Sequence, residues 1–381
     1  MHVVIATPFA SPEKGACSIR VAAFATALES KGHRVTVLAP ARKGVPSQEN
    51  TIRYTGRTGL LPTILSLPNV DVVIGTSPPL PPNFWAWLAC QVKSIPFILD
   101  AKDPFVEVYT AAGTLQEGNW KHSLYTWMES LLHTRADAIS TLTPRDIEYI
   151  HSRHRVAKEN IFLIPNGFSP RVMKFNSAAR KKWRSEWNIT PRERALVYTG
   201  SLQDERIHEF IAHAGKEFLS KKNLHIILVV AVEQKPEDQA IIKNLRHSSH
   251  EKEKNRIHII ENAPYENVSD YLSAADAAIV PVPLSWKNCL PVKALDSAAI
   301  GLPIFGVGPS DSSFSDFISE SKGGWLDSDW VSLLHRIEEN ISNGLTLKRM
   351  GKNAHAFVKK YYNRDESAQR MIDLVEKFEK K

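Results

Sequence analysis

The strongest constraint on the fold is a repeated alternation of short apolar runs with longer amphipathic stretches. The chain begins with "HVVIAT", continues with "SIRVAAFATALESKG" and returns to an apolar run in "RVTVLAP". Because the apolar residues of the middle stretch recur at helical spacing and a glycine closes it, these segments predict a strand, a helix and a strand. Further runs, "DVVIGTS", "PFILDAKD", "DAISTLT" and "IFLIPNG", follow the same order. This order predicts a parallel sheet covered by helices on both faces.

The alternation starts again near residue 195, with "ALVYTGS", "LHIILVVA", "RIHIIENAP", "DAAIVPVP" and "PIFGVG". A chain of 381 residues is too long for one ordinary core. We therefore predict two doubly wound α/β domains, residues 1–168 and 195–362, joined by a basic linker helix at 169–194. A last helix at 363–381 is expected to pack back towards the first domain. Since ligands bind beyond the carboxyl ends of parallel strands, we expect the two domains to face a cleft.

The composition narrows the class of protein. Hydrophobic residues make up 43% of the chain and charged residues 23%, as in ordinary soluble domains. The three cysteines, Cys17, Cys90 and Cys289, are scattered and suggest neither a disulfide framework nor a zinc site. The start of the chain lacks the features of a signal peptide, and its apolar stretches are shorter than the ~20 residues of a membrane-spanning helix. These features predict a cytoplasmic protein.

Much of the formal net charge of +7 lies in residues 171–194, which carry eight basic residues and two acidic ones. This segment is either a solvated helix or a docking patch for an anionic lipid or acceptor. The tryptophans of "PPLPPNFWAWLACQVK" and "NWKHSLYTWMESLLHTRAD" leave a similar choice. They pack in a core or, if exposed, form with the basic helix near Lys181 an interface for a lipid surface.

The segment "CLPVKALDSAAIGLPIFG" at 289–306 suggests an anion site. Proline suits a first helical turn, whose free amides combine with the helix dipole and Lys293 to attract an anion. Asp296 lies three residues further on the same face and can accept hydrogen bonds from a diol. A phosphate and a ribose would satisfy both residues, although helices that begin in this way are also common elsewhere.

Five segments occur in an order that resembles a known family. They are "SIRVAAFATALESKGHRVTVLAP", "IPNG", "VYTGSL", "YLSAADAAIVP" and "LPVKALDSAAIGLPIFG". Together they cover nearly the full chain and resemble the GT-B glycosyltransferases, in particular retaining family 4 (group 1) of the bacterial surface-polysaccharide type. The resemblance implies two Rossmann-like domains with C-terminal helices, the second of which binds a nucleoside diphosphate sugar.

The resemblance also implies the residues of the donor site: Gly200, Ser201, Arg206, Asn288, Leu290, Pro291, Val292, Lys293 and Asp296. Asp296 stands where relatives have an acid, usually Glu, that binds the nucleotide ribose. Ser201 replaces one of the family's two pyrophosphate-binding cations, so stabilisation of the leaving diphosphate is assigned to Arg206, Lys293 and the helix amides. Asn288 replaces the other acid of the family's pair, which leaves its role towards the donor sugar open.

On the acceptor side, "FILDAKDPFVE" places Asp100 and Asp103 just beyond a predicted strand. The Asp103-Pro104 corner resembles one that faces the acceptor in this family, so Asp103 is predicted to orient or deprotonate the acceptor hydroxyl. Glu107 is a further candidate, and Gly15 matches a small residue of the first loop. The structural alternative is that either aspartate caps the following turn.

By this resemblance, we expect a glycosyltransferase that moves a sugar, with retention, from a UDP- or GDP-linked donor to a saccharide or lipid-linked acceptor. Bacterial O-antigen, capsule or exopolysaccharide synthesis is the expected setting, in the cytoplasm or at the inner face of its membrane. No cofactor, metal or nucleic-acid partner is expected, and "DSD" at 327–329 is interpreted as a chance match to a metal-binding pattern. The alternatives are a nucleotide-sugar 2-epimerase of the same fold and a non-catalytic partner subunit.

Overall fold

The computed structural model describes residues 1–13, 15–48, 50–56, 58–201, 207, 209–210, 223–231, 240–243 and 256–379. The chain divides into two compact units. The first comprises Met1–Asn166 and Arg364–Lys381, and the second comprises Gly167–Asn363. Each unit contains a parallel sheet with helices, so the predicted α/β fold class is confirmed.

The first unit is built on a seven-stranded sheet with the strand order β3-β2-β1-β4-β5-β6-β7. Its strands are β1 (His2–Ala6), β2 (Arg34–Pro40), β3 (Thr51–Tyr54), β4 (Val72–Ser77), β5 (Phe97–Ala101), β6 (Ala138–Thr141) and β7 (Ile161–Leu163). β1, β4 and β5 are buried along their whole length, as expected of strands between two helical layers. Ser77 pairs with Ala101 and Ala101 with Thr141, so the carboxyl ends of β4, β5 and β6 are level.

Helices follow most of these strands. They are α1 (Ala16–Ser30), α2 (Leu60–Ser66), α3 (Leu80–Lys93), α4 (Phe105–Ala111), α5 (Trp120–Arg135) and α6 (Pro144–His154). Thr143 and Asp146 form a reciprocal capping box at the start of α6, which explains why the helix begins there. The short elements β3, α2 and α4 were not predicted, because four to seven residues carry too little periodicity.

The second unit is built on a six-stranded sheet, in the described part of the chain, with the order β10-β9-β8-β11-β12-β13. Its strands are β8 (Arg194–Ser201), β9 (Leu224–Ala231), β10 (Ile257–Glu261), β11 (Ala277–Pro281), β12 (Ile304–Val307) and β13 (Gly324–Asp327). Its helices are α7 (Ser177–Glu186), α8 (Tyr265–Ala274), α9 (Val292–Ile300), α10 (Ser313–Ser321), α11 (Trp330–Asn340) and α12 (Gly344–Tyr361). The stretch "RIHEFIAHAGKEFLSKK" at 206–222, whose apolar spacing predicts a helix after β8, lies almost wholly outside the described residues.

The last helix, α13 (Arg364–Glu376), belongs to the first unit. It packs on α1 and buries Met371 and Val375 in the same apolar cluster as Val21 and Phe24. Within the described residues, no helix has the length and apolar composition that crossing a bilayer requires.

Candidate functional site

The first turn of α9 lies at the carboxyl edge of the second sheet. Pro291 precedes the helix in an extended conformation, and Gly301 ends it in a left-handed one with φ 87°. Leu290 packs against the core cluster that contains Leu295, which holds the approach to the helix. The amino end of a helix is the positive end of its dipole, so the first turn of α9 suits a negatively charged group.

Lys293 is held beside the end of β8. Its Nζ donates to the hydroxyl of Tyr198 at 3.3 Å and lies 4.5 Å from the centre of the Tyr198 ring. Tyr198 is buried, and its hydroxyl donates in turn to the backbone oxygen of Ser201 at 2.8 Å. The structure therefore brings together the predicted residues Ser201 and Lys293 through a tyrosine that the sequence analysis missed.

Gly200 allows this close approach. Its backbone φ of 151° lies in a region that residues other than glycine rarely adopt. A Cβ atom there would lie 2.8 Å from the Tyr198 hydroxyl and 3.0 Å from Lys293 Nζ. Glycine is thus required at this position by both backbone conformation and space.

Asp296 lies one turn further along α9 and is 6% exposed. The hydroxyl of Tyr265, the first residue of α8, donates to its Oδ1 at 3.2 Å. Tyr265 therefore fixes the carboxylate that the sequence assigns to the ribose. The sequence analysis missed Tyr265 as well, although an aromatic residue that opens a helix just after a strand was a usable signal.

The remaining donor-side residues are only partly described. Asn288 is half-buried in the segment that leads to α9, and the backbone oxygen of its neighbour Lys287 accepts a bond from the Ser313 amide at 2.7 Å. This bond anchors the segment on α10. Arg206 lies outside the described residues, so its role stays a prediction.

In the first unit, Asp100 is fully buried in an ion pair with Arg20. Arg20 Nε and Nη2 donate to the two carboxylate oxygens at 3.0 and 2.8 Å, and Ser140 Oγ donates to one of them at 2.7 Å. Burial alone would raise the pKa of Asp100, but the Arg20 charge and these hydrogen bonds outweigh it and hold the pKa below its usual value. Arg20 also donates to the backbone oxygen of Ile164 at 2.8 Å. This geometry favours a structural role for Asp100, which ties α1 to β5 and to the end of β7, over the predicted acceptor contact.

Asp103 and Glu107 flank the start of α4. Asp103 is half-buried two residues beyond β5, and burial raises the pKa of its carboxyl against the opposing charge of Lys102. A raised pKa suits a carboxylate that accepts a proton. Pro104 caps α4, and Glu107 is exposed in its first turn. The acceptor role of Asp103 stays a prediction, with which a raised carboxyl pKa is compatible.

Gly15 precedes α1 with a backbone φ of 117°, which residues other than glycine rarely adopt. A Cβ atom there would meet no atom within 4 Å, so the backbone conformation and not a lack of space explains the glycine. In the first turn of α1, the Sγ of Cys17 lies 3.0 Å from Lys102 Nζ, and this contact joins the start of α1 to the end of β5. Gly15 and the Asp103 corner therefore both adjoin the carboxyl edge of the first sheet.

Part of the basic segment has a structural role. Arg180 Nη2 lies 2.7 Å from Asp276 Oδ1, and Arg184 Nη1 lies 3.0 Å from Oδ2. These ion pairs anchor α7 at the start of β11, whereas Lys181 and Lys182 are exposed. A docking patch on α7 is therefore narrower than its charge count suggested.

The "DSD" carboxylates also have contacts of their own. Asp327 accepts two bonds of 2.7 Å from Arg336, and Asp329 caps α11 by accepting from the Ser332 amide at 2.9 Å. Both contacts fasten α11 to the end of β13.

Each of the two units contains a parallel sheet, and the second places a lysine, a glycine and the amino end of a helix at its strand ends, the edge at which α/β proteins of this class bind their ligands. Residues 15–167 match the family model of a glycosyl transferase 4-like domain, and residues 179–357 match that of the glycosyl transferases group 1. The chain belongs to the group 1 glycosyltransferases of the GT-B fold, and it is an enzyme of that class. No curated protein matches the sequence significantly.

Solved structures share this fold at low sequence identity. Sucrose-phosphate synthase from Thermosynechococcus elongatus superposes with a TM-score of 0.78 at 18% identity, covering 99% of this chain and 98% of that one. HepE from Anabaena, in complex with UDP-glucose, superposes with a TM-score of 0.76 at 12% identity, covering 99% of this chain and 100% of HepE. WaaG, a glycosyltransferase involved in lipopolysaccharide biosynthesis, superposes with a TM-score of 0.69 at 14% identity, covering 98% of this chain and 99% of WaaG.

Proposed function

We propose that this glycosyltransferase moves a sugar from a nucleoside diphosphate sugar to a saccharide or lipid-linked saccharide, with retention, in bacterial cell-surface polysaccharide synthesis. The observation that carries the donor proposal is the placement of Lys293 at the first turn of α9, against Gly200 and Tyr198 at the end of β8. A cation beside the positive end of a helix dipole is suited to a diphosphate. UDP is the first candidate nucleotide because the neighbour HepE was determined with UDP-glucose.

In the proposed mechanism, the second unit binds the donor. Lys293, the first amides of α9 and Arg206 neutralise the charge that develops on the departing diphosphate. Asp296, held by Tyr265, accepts hydrogen bonds from the ribose hydroxyls. Since these groups supply the positive charge, the proposal includes no metal cofactor.

In the first unit, Asp103 orients or deprotonates the acceptor hydroxyl. Its raised pKa makes its carboxylate a stronger base than an exposed aspartate, which supports this role. Glu107 and the Gly15 loop are proposed to contact the acceptor nearby. Asp100 is left out of this set because Arg20 and Ser140 already occupy its carboxylate.

We further propose that the protein works at the cytoplasmic face of a membrane, through an apolar face of α5. Trp120, Leu124 and Trp127 lie on one side of this helix and are 69%, 39% and 52% exposed. The charged side chains at the surface of α3 and α5 are basic, because Glu129, the one acid in their two sequences, is buried. Exposed tryptophans beside basic residues suit an anionic lipid surface.

The donor proposal is tested by thermal unfolding with UDP, GDP, ADP, CMP and NAD. A ligand at a hundred times its dissociation constant stabilises the protein by about 2.7 kcal/mol. We expect one nucleoside diphosphate to raise the transition, and Asp296→Ala and Lys293→Met to remove the effect. Asp373→Ala, at an exposed position of α13, is the control and should keep it. A shift with NAD alone, or with none of the five, contradicts the donor proposal.

A further inference from the structure

Glu129 is a buried carboxylate that the proposed mechanism does not use. It lies on α5 with 2% exposure, and the backbone amides of Phe105 and Val106 hydrogen-bond to it, the latter at 3.3 Å. These two amides open α4, directly after Asp103 and Pro104. A side chain of α5 thus caps the preceding helix, α4, at the point where the candidate acceptor corner ends.

Apolar contacts fix the same place. The Phe105 ring lies 5.3 Å from the Tyr125 ring of α5 and stacks on Tyr109 at 4.3 Å. Phe105 therefore packs α4 against α5 through apolar contacts, whereas Glu129 accepts hydrogen bonds from the first backbone amides of α4. An ionised carboxylate suits this position, because bonds to a charged acceptor are roughly twice as strong and the amino end of a helix attracts negative charge.

We infer that Glu129 is a positioning residue of the acceptor side: its ionised carboxylate clamps the start of α4, and its protonation loosens the Asp103-Pro104 corner. This inference rests on the proposed function, since Asp103 is the group that it positions. A protonated carboxyl carries a hydrogen on one of its oxygens. That oxygen is a poorer acceptor, so the group cannot accept hydrogen bonds from both amides equally well.

Burial raises the pKa of Glu129 to about 7, against the backbone hydrogen bonds and the charge of Arg153. The titratable and charged groups that face it are Glu107 on α4, His133 on α5, and Tyr149, Arg153 and His154 on α6. Burial lowers the pKa of His133 to about 4 and that of His154 to about 3, and it raises the pKa of Tyr149. Neither histidine nor the tyrosine therefore changes charge near pH 7.

The experiment measures amide hydrogen exchange of residues 105–111 in the full chain between pH 6 and pH 8, corrected for intrinsic exchange. Loss of a charge-assisted bond corresponds to about tenfold to a hundredfold faster exchange. We expect this loss of protection in the native chain as the pH falls. Glu129→Gln, which keeps the shape without the charge, should exchange fast at both pH values. Glu148→Gln, an exposed control on α6, should behave like the native chain.

The second readout is the acceptor KM over the same pH range. It should rise as the pH falls in the native chain and be high and flat in Glu129→Gln, with UDP affinity unchanged. Identical pH profiles in both proteins would assign the titration to Asp103 and overturn the inference. A pH-dependent α4 with a constant acceptor KM would also overturn the positioning role. Because hydrogen exchange requires no turnover, failure of the proposed function and failure of the clamp are distinguishable.

Discussion

Lys293 on α9 donates to the hydroxyl of Tyr198 on β8, although the two residues are 95 positions apart in the chain. The Tyr198 hydroxyl in turn donates a hydrogen bond to the backbone oxygen of Ser201, so one hydroxyl contacts both the lysine and the end of the strand. This contact fixes the position of the Lys293 ammonium group at the end of β8.

Tyr198→Phe keeps the ring and removes the hydroxyl, so the fold should persist while Lys293 loses its partner. A typical hydrogen bond contributes about 0.5–1.5 kcal/mol, and we expect UDP affinity to fall about threefold to tenfold. Titration calorimetry measures the change. Tyr361→Phe, at an exposed position of α12, is the control, and equal affinities in the two variants would show that the hydroxyl does not position the lysine.

Gly200→Ala should weaken donor binding by displacing Lys293 and Tyr198. The added Cβ would lie within 3.0 Å of both polar atoms, in a backbone conformation that alanine rarely adopts. Gly44→Ala is the control, since Gly44 also has positive φ but meets open space. Both variants should lose about 1 kcal/mol of stability or more, but Gly200→Ala alone should lose UDP binding. Normal UDP affinity in Gly200→Ala would argue against a diphosphate at this strand end.

Asp100→Asn leaves the Arg20 charge buried without its counter-ion, which costs about 3–5 kcal/mol in comparable sites. We expect a lower urea midpoint for the first unit, and recovery in the double variant Arg20→Met with Asp100→Leu. Because Arg20 lowers the pKa of Asp100, the ion pair stabilises the native protein at pH values above 3.8, the ordinary pKa of an aspartate. This stability is lost as the pH falls through the lower folded-state pKa. Native stability with loss of acceptor binding alone would restore Asp100 to the acceptor site.

The double variant Trp120→Ser with Trp127→Ser should bind anionic vesicles at least tenfold more weakly than the native chain, because it removes two interfacial side chains. Co-sedimentation with phosphatidylglycerol vesicles at two salt concentrations measures this. Leu345→Ser, which removes an apolar side chain that is 84% exposed on α12, is the control. Binding that is equal in all three proteins would exclude the α5 face as the membrane contact.

The sequence by itself determined the architecture and the outline of the proposed donor site. Apolar runs such as β1 and β8 are separated by helices with clear starts and ends, and this periodicity reflects burial between two helical layers. Lys293 and Asp296 were predictable because both lie on one short helix, where spacing alone places them on a common face.

The partners of these residues were decided only by tertiary structure. Tyr265 lies 31 positions from Asp296, and Arg20 lies 80 positions from Asp100. Such pairs meet because the sheet order sets which strand ends are neighbours, and local periodicity carries no information about that order. Asp100 and Asp103 are three residues apart in the sequence, yet one is sealed in an ion pair and the other is half-buried beyond the strand. Their different environments follow from burial and from the single arginine that α1 brings to β5.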